Sequence, residues 1–448
     1  MAEQTVTAAA APEAPRSMRT FFIIWGGQLV SIMGSGLTSF ALGVWIFNKT
    51  GQATPFALTA LFSMLPRILL SPLGGSLADR WNRRWLMILS DAAAALVTGA
   101  AAVLLYLGDL QIWHIYLMAS IGSILGAFQE PAYMSSVTML VPRQHLARAS
   151  GMMQTASSLT MIVSPMLAGV LFGVIGLRGI LVIDFVTCFF AVGALLLVRI
   201  PQPPVVETPG TRTDFLSDAR FGWRYLLQRR GLMVMLLYFA LVNFLLNLAM
   251  VLMAPLVLSY GDASTLGLVQ AISGLGMLAG SIAISAWGGP KDRIPAILIF
   301  LGTAGLGLGM AGVYPSALAT GGGLFLMMAM IPLASGCSQA IYQSKIEPGV
   351  QGRVFAIRGM ITQSIMPLAF LLAGPLSDFV FESLLLEGGG LADTFIASLL
   401  GTGPGRGTGL IFVLSGLTLV AASMLAGLNP RLRRVETELP DAVPAAAD

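Results

Sequence analysis

Apolar runs of about 20 residues, each long enough to cross roughly 30 Å of hydrocarbon, recur along this chain from end to end. In hydrocarbon a backbone can satisfy its own polar groups only as a helix or a closed barrel, and runs of this length are helical. Composition agrees: 56% of the 448 residues are hydrophobic and 10% are charged, against about a quarter charged in a soluble domain. The chain therefore reads as an all-α polytopic membrane protein. Twelve spans are expected, near 21–47, 55–77, 85–107, 112–140, 146–175, 177–198, 232–259, 266–287, 294–313, 323–344, 354–380 and 410–428.

Lysine and arginine sort into alternate loops. Arg16, Arg19, Arg80, Arg83, Arg84, Arg143, Arg148, Arg199, Arg220, Arg224, Lys291, Arg293, Lys345, Arg353 and Arg431 fall on one side; Lys49, Arg178 and Arg406 fall on the other. By the positive-inside rule both termini are cytoplasmic, in the plasma (inner) membrane. The net charge of +4 is thereby read as topology, not as a nucleic-acid footprint. The N-terminus lacks a charged-then-apolar leader with a small-residue cleavage site, so the first span is expected to act as an uncleaved insertion signal. Cys188 and Cys337 are isolated in apolar segments and suggest neither a disulfide nor a metal site.

Segment 200–231 divides the chain. It opens with PQPPVVETPG and continues into a stretch whose Phe215, Ala219, Trp223 and Leu226 share one helical face, fit for the membrane interface or for packing on the bundle. The expected organisation is a disordered N-terminal tail (1–20), a six-helix bundle (21–199), the linker (200–231), a second six-helix bundle (232–430) and a C-terminal tail (431–448). Pro142 and Arg148, and Pro348 and Arg353, stand at matching places in the two halves, each ahead of a proline-broken span. Related halves in parallel orientation are a transporter signature.

The loop after the second span reads GGSLADRWNRRWLM. Gly75, Leu77, Asp79, Arg80, Arg83 and Arg84 match G-x-L-a-D-r-x-g-r-r, with Asn82 in the place of the last glycine. On these residues the chain resembles the major facilitator superfamily along its whole length. The resemblance implies twelve helices in two pseudo-symmetric six-helix bundles working by alternating access. It also implies a conformational latch at Gly75, Asp79, Arg80, Arg83 and Arg84, with Asp91 two helical turns from Arg83. The first span, WGGQLVSIMGSGLTSFALGVWIFNKTG, together with 348–378 and RRVETELPD, resembles the macrolide-efflux and siderophore-exporter branch of the drug–proton antiporters. That branch implies export. Its fifth-helix motif survives here only in reduced form, TMIVSPMLAG, where Ser164, Pro165 and Gly169 keep small residues and a kink.

Charges are rare inside the spans. Glu130, in ILGAFQEPAYMSSV, lies about 15 Å from the end of the fourth span, and Arg67 follows Pro66 at a similar depth in the second. Unpaired, each would cost roughly 2.5–3.5 kcal/mol, so an ion pair is expected between them. It reads either as a proton or substrate coupling site or as a fixed packing pair. Asp184 is read as structural. Arg353 and Arg358 are candidates for a cytoplasmic gate. Uncharged polar residues at helical spacing mark candidate cavity walls: Gln28, Ser31 and Ser35 on the first span, Asn243 and Asn247 on the seventh, Gln339, Tyr342 and Gln343 on the tenth.

The expected function is export of amphipathic small molecules by proton antiport, with lipid, substrate and protons as partners, no nucleic acid, no cofactor and no metal, in a monomer. A proton-coupled importer is the alternative within the class. A membrane enzyme acting on lipid-linked substrates would need paired acidic motifs or a nucleophile beside a base; His114 and His145 have no such company, and no G-x-x-x-x-G-K-[ST] loop occurs. A non-transporting scaffold or sensor would not need a charge latch and polar-faced spans.

Overall fold

The computed structural model describes residues 18–200, 215–346 and 348–438. The side chains at 72–80, 143, 147, 215–219, 222, 348–349, 352–353, 356 and 437–438 lie outside the described residues, as do most of both tails and the first part of the linker. Long helices follow in the expected order: α1 (Arg19–Thr50), α2 (Ala53–Arg80), α3 (Arg83–Leu107), α4 (Ile112–Leu140) and α5 (Leu146–Leu197). After the linker come α6 (Phe215–Gln228), α7 (Arg230–Leu258), α8 (Ala263–Trp287), α9 (Arg293–Val313), α10 (Ala317–Lys345) and α11 (Pro348–Pro375). Short α12 (Glu382–Leu385) and α13 (Phe395–Leu400) precede α14 (Arg406–Leu428), α15 (Pro430–Arg433) and α16 (Val435–Glu438).

Among the described residues, eleven stretches are long and apolar enough to cross a membrane. One of them lies in α5, whose 52 residues run through Gly176 at φ 63°, ψ −174°. That left-handed, non-helical geometry is open to glycine and closed to most side chains. It divides α5 into the expected fifth and sixth spans, which gives twelve passes. Polar caps set other boundaries. Asn82, which stands where the signature loop has glycine, accepts from the backbone N–H groups of Arg84 and Trp85 and starts α3. Asp262 starts α8; hydrogen bonds from the Thr265 N–H, the Thr265 hydroxyl and the Ser264 hydroxyl hold its carboxyl down at about 2.

The chain groups into two compact units whose limits run through helices. One comprises Met1–Thr38, Phe62–Thr160 and Leu177–Thr211; the other comprises Ser39–Leu61, Met161–Gly176 and Arg212–Asp448. In the first, Ile24, Met87, Ala132 and Leu195 bring α1, α3, α4 and the end of α5 into one core. Arg84 ties the head of α3 to the last turn of α5, donating to the carbonyls of Leu195 and Leu196, both at 2.8 Å. Helix C-termini leave such carbonyls unpaired and favour a cation there.

The second unit is packed backbone to backbone. A Cβ at Gly307 of α9 would lie 2.6 Å from the Gly323 carbonyl of α10, and one at Gly305 would lie 2.8 Å from the Gly416 carbonyl of α14. With no hydrophobic drive between helices in lipid, this close approach of small residues supplies the dispersion contact. Asp378, just past α11, caps α2: its carboxylate accepts from Ala53 N at 2.9 Å, Thr54 N at 2.7 Å and Thr54 Oγ1 at 2.6 Å.

α6 packs against α11 and α7, with Tyr225 and Leu226 buried and Arg220 and Arg224 exposed. Segment 381–408 contains α13, and its Leu385, Ala397 and Leu400 turn inward onto Leu410 of α14. Glu382 accepts from the Gly405 N–H, and Arg406 donates to the Leu400 carbonyl at 3.2 Å.

The glycine packing gives a paired prediction. Gly307→Ala forces α9 and α10 apart and should lower stability by about 1–3 kcal/mol. Gly309→Ala, two residues on, meets nothing within 4 Å and should be neutral or stabilising by up to about 1 kcal/mol. Melting temperatures of the purified protein in detergent compare the two; equal melting would refute the packing argument.

Candidate functional site: an ion pair at a cavity in the first unit

Helix α4 carries the site because it breaks the rules of a membrane helix at 129–131. Pro131 lacks the N–H that would bond the Ala127 carbonyl, yet α4 continues through it. One turn beyond, hydroxyls bond the ladder's own carbonyls: Ser135 Oγ donates to Pro131 O at 2.7 Å and Ser136 Oγ to Ala132 O at 2.6 Å. Such a stretch is held more loosely than a regular helix.

Glu130 forms an ion pair with Arg67 of α2. Arg67 is fixed to α4 at a second point, since its backbone N–H donates to Ser123 Oγ at 3.0 Å. Ser123 lies two turns from Glu130 on the same face, so one residue of α2 is held at two points of α4 seven positions apart. Both charged side chains are about half exposed, at 50% and 49%. That decides the pair's character. A buried pair is expensive to break, but an accessible pair is worth only about 0–1 kcal/mol and can exchange partners.

The pair stands in the wall of a cavity of about 300 Å³. Trp25, Leu29 and Ile32 of α1, Tyr133 and Met134 of α4 and Met153 of α5 supply most of the remaining surface, and Gln28 and Gln129 add amides. Trp25 is oriented by its indole N–H, which donates to the Met152 carbonyl at 3.1 Å. The mixture is apolar and aromatic with a few convergent polar groups, as in small-molecule sites, and its methionines can adapt to varied shapes.

Asp91 was expected beside Arg83. It instead accepts from Gln28 Nε2 at 2.9 Å and Gln129 Nε2 at 2.6 Å. Arg83 turns to the Ser135 carbonyl at 3.2 Å and the Met139 sulfur at 2.9 Å. The latch grouping therefore changes in its described part: Arg83 and Arg84 bond α4 and α5, and Asp91 joins a glutamine network. The signal for this network was the unassigned Gln129 next to Glu130. The side chains of Gly75, Asp79 and Arg80 lie outside the described residues.

The other candidates separate. Gln28 does line the cavity. Ser31 is buried and Ser35 exposed, and both hydroxyls meet protein groups: Ser31 Oγ contacts Cys188 Sγ at 4.0 Å, and Ser35 Oγ donates to Asp184 at 3.2 Å, with Thr98 donating to the same carboxylate at 3.3 Å. In the second unit, Asn243 and Asn247 bond carbonyls one turn back on their own helix, Phe239 O and Asn243 O. Tyr342, expected at a cavity wall, is fully buried at 1%, and its hydroxyl donates to Leu232 O. Arg358 stacks 4.4 Å from the Tyr342 ring centroid and donates to Gln339 at 2.9 Å. Gln343 is exposed, and the Arg353 side chain lies outside the described residues. Gly169 of the fifth-span motif packs against the Ala263 carbonyl, and the Pro165 carbonyl meets Gly267. Ser164 is buried.

A sequence model of the Major Facilitator Superfamily matches residues 24–371. Macrolide efflux protein A of Streptococcus pyogenes is 28% identical over 362 residues, 79% of this chain and 88% of that protein. The multidrug efflux pump Tap of Mycobacterium tuberculosis is 26% identical over 369 residues, 79% of this chain and 86% of that protein. Among solved structures, a bacterial homologue of the human lysosomal transporter Spinster superposes with a TM-score of 0.68 at 17% identity, covering 94% of this chain and 98% of that one.

Reversing the ion pair tests its geometry. Arg67→Glu and Glu130→Arg should each lower the melting temperature, and the double variant should recover part of both losses. A double-mutant cycle on purified protein should return a coupling of about 0.5–1 kcal/mol. Strict additivity would mean that the two charges do not interact.

Proposed function

We propose that this chain, which belongs to the Major Facilitator Superfamily, exports amphipathic small molecules in exchange for protons, by alternating access, from a cytoplasmic membrane in which both of its termini face the cytoplasm. The fold is the transporter fold expected from the sequence, and the relatives are transporters, not enzymes. The division into two six-helix halves at 200–231 is part of this proposal.

The observation that carries the reading is the half-exposed Arg67–Glu130 pair in a mostly apolar cavity wall. A basic amphipath entering there competes with Arg67 for Glu130, while its apolar body rests on Trp25, Met134 and Met153. A proton reaching Glu130 removes the charge that holds either cation. Substrate and proton thus exclude each other at one carboxylate, which is the minimal requirement for exchange. The magnitudes fit: the exposed pair is worth about 0–1 kcal/mol, and one proton moving inward down 100 mV supplies about 2.3 kcal/mol. The names of the relatives point to macrolides and other drugs as the first compounds to try.

The test is uptake of a labelled macrolide into inside-out vesicles with an acidified lumen. Wild-type protein should concentrate the compound in the lumen, and collapse of the pH gradient should abolish it. Glu130→Gln should lose gradient-driven accumulation by tenfold or more while retaining exchange of labelled for unlabelled compound. Accumulation by Glu130→Gln at the wild-type level would remove Glu130 from the coupling. Accumulation only when the gradient is reversed would make the chain an importer.

A further inference from the structure

Among the described residues of the first unit, two carboxylates are buried, Asp91 at 5% and Asp184 at 2% exposure. Their surroundings differ in kind. Asp184 accepts from the hydroxyls of Ser35 and Thr98, and neither lines the cavity. Asp91 is held by two side-chain amides, Gln28 at 2.9 Å on Oδ2 and Gln129 at 2.6 Å on Oδ1. The amides also approach each other, Gln129 Nε2 to Gln28 Oε1 at 3.5 Å. Both glutamines lie in the wall of the cavity that contains Arg67 and Glu130.

Among the described residues, the charged and titratable groups on the packed elements give Asp91 no counterion. From α1 it meets neutral Gln28. From α4 it meets neutral Gln129, while Glu130 next door is engaged by Arg67 of α2. From the second half of α5, Cys188 is close enough to interact with it electrostatically, and it is not a cation. On α3 itself, Arg83 is turned to Ser135 and Met139. A full charge on Asp91 would be met by neutral dipoles alone, which is costly in the membrane interior.

We propose that Asp91 is a second proton-binding site, distinct from Glu130, whose protonation is relayed to the cavity wall by rotation of the Gln28 and Gln129 amides. The step is a proton addition: hydronium entering through the cavity gives H⁺ to Oδ2, an O–H bond forms, and water leaves. Glutamine suits the task because a half-turn of its amide exchanges an N–H donor for a carbonyl acceptor. With Asp91 ionised, both amides donate to it. With Asp91 protonated, its new O–H needs an acceptor, and Gln28 provides one by turning its oxygen inward and its NH₂ group toward the cavity. Gln129 is joined through one peptide bond to Glu130, so the same event changes the dipoles beside the ion pair.

The assignment of a proton to Asp91 stands whatever the cargo and direction of transport; only its use in exchange rests on the function proposed above. Infrared difference spectroscopy of the purified protein in lipid nanodiscs, stepped between acid and alkaline pH, reads the site without any substrate. Wild type should show the carbonyl band of a buried, protonated carboxyl that disappears as the pH is raised. Asp91→Asn, which keeps the shape and one of the two amide acceptors, should lose that band, while Glu130→Gln and Asp184→Asn should retain it. Gln129→Leu removes a donor that favours the charged form, so its band should persist to higher pH; this arm decides the matter should Asp91→Asn fail to fold. The proposal is overturned by a wild-type spectrum with no such band, by a band unchanged in Asp91→Asn, or by a Gln129→Leu band that titrates with the wild type. Loss of macrolide transport with the band intact would count against the exporter and leave Asp91 as a proton site.

Discussion

Hydrocarbon offers no hydrogen-bond partner to a backbone amide or a charged side chain, and the polar residues of this chain are arranged around that deficit. Asp378 meets the first amides of α2, Arg84 meets the last carbonyls of α5, and Asn243 and Asn247 fold back onto α7. Glycine settles the same problem differently, by letting α9 approach α10 and α14 until backbone lies on backbone. These polar groups are committed to the protein's own backbone, whereas Arg67 and Glu130 stay half exposed.

This explains which parts of the molecule could be read in the sequence. Hydrophobic length marks a span regardless of its neighbours, so the twelve passes were legible, as was the break near Gly176. Depth and sign alone brought Arg67 and Glu130 together, because two opposite charges at one level have few other ways to be accommodated. Helical periodicity was less informative. It put Gln28, Ser31 and Ser35 on related faces, but a polar face looks the same whether it meets water or the hydroxyls and carboxylates of another helix. Ser31 and Ser35 meet Cys188 and Asp184. Tyr342 was misread for a similar reason: its neighbour Arg358 comes from α11, 16 positions away in sequence, and closes over the ring.

Asp91 shows the limit most clearly. Two turns from Arg83 on one helix, it had an obvious partner along the chain. Its actual partners come from α1 and α4, 63 and 38 residues distant. Spacing along a helix reports which residues share a face; it carries no information about what a third helix brings to that face. Arg83 is correspondingly turned to the Ser135 carbonyl and the Met139 sulfur of α4.

The consecutive residues Gln129, Glu130 and Pro131 then acquire a common logic. Adjacent positions on a helix point about 100° apart, so Gln129 can reach a buried carboxylate while Glu130 faces the cavity and its arginine. Neither group can move far without the other, since a single peptide joins them. In a regular membrane helix that coupling would be rigid and its motion costly, because each carbonyl is bound one turn on. Pro131 leaves the Ala127 carbonyl without that bond at the one place where the two sites meet, lowering the resistance of α4 to a local shift. A carboxylate and a proline side by side, an expensive choice for a helix that only spans, suit a helix that must carry a change in charge from the protein interior to a binding surface.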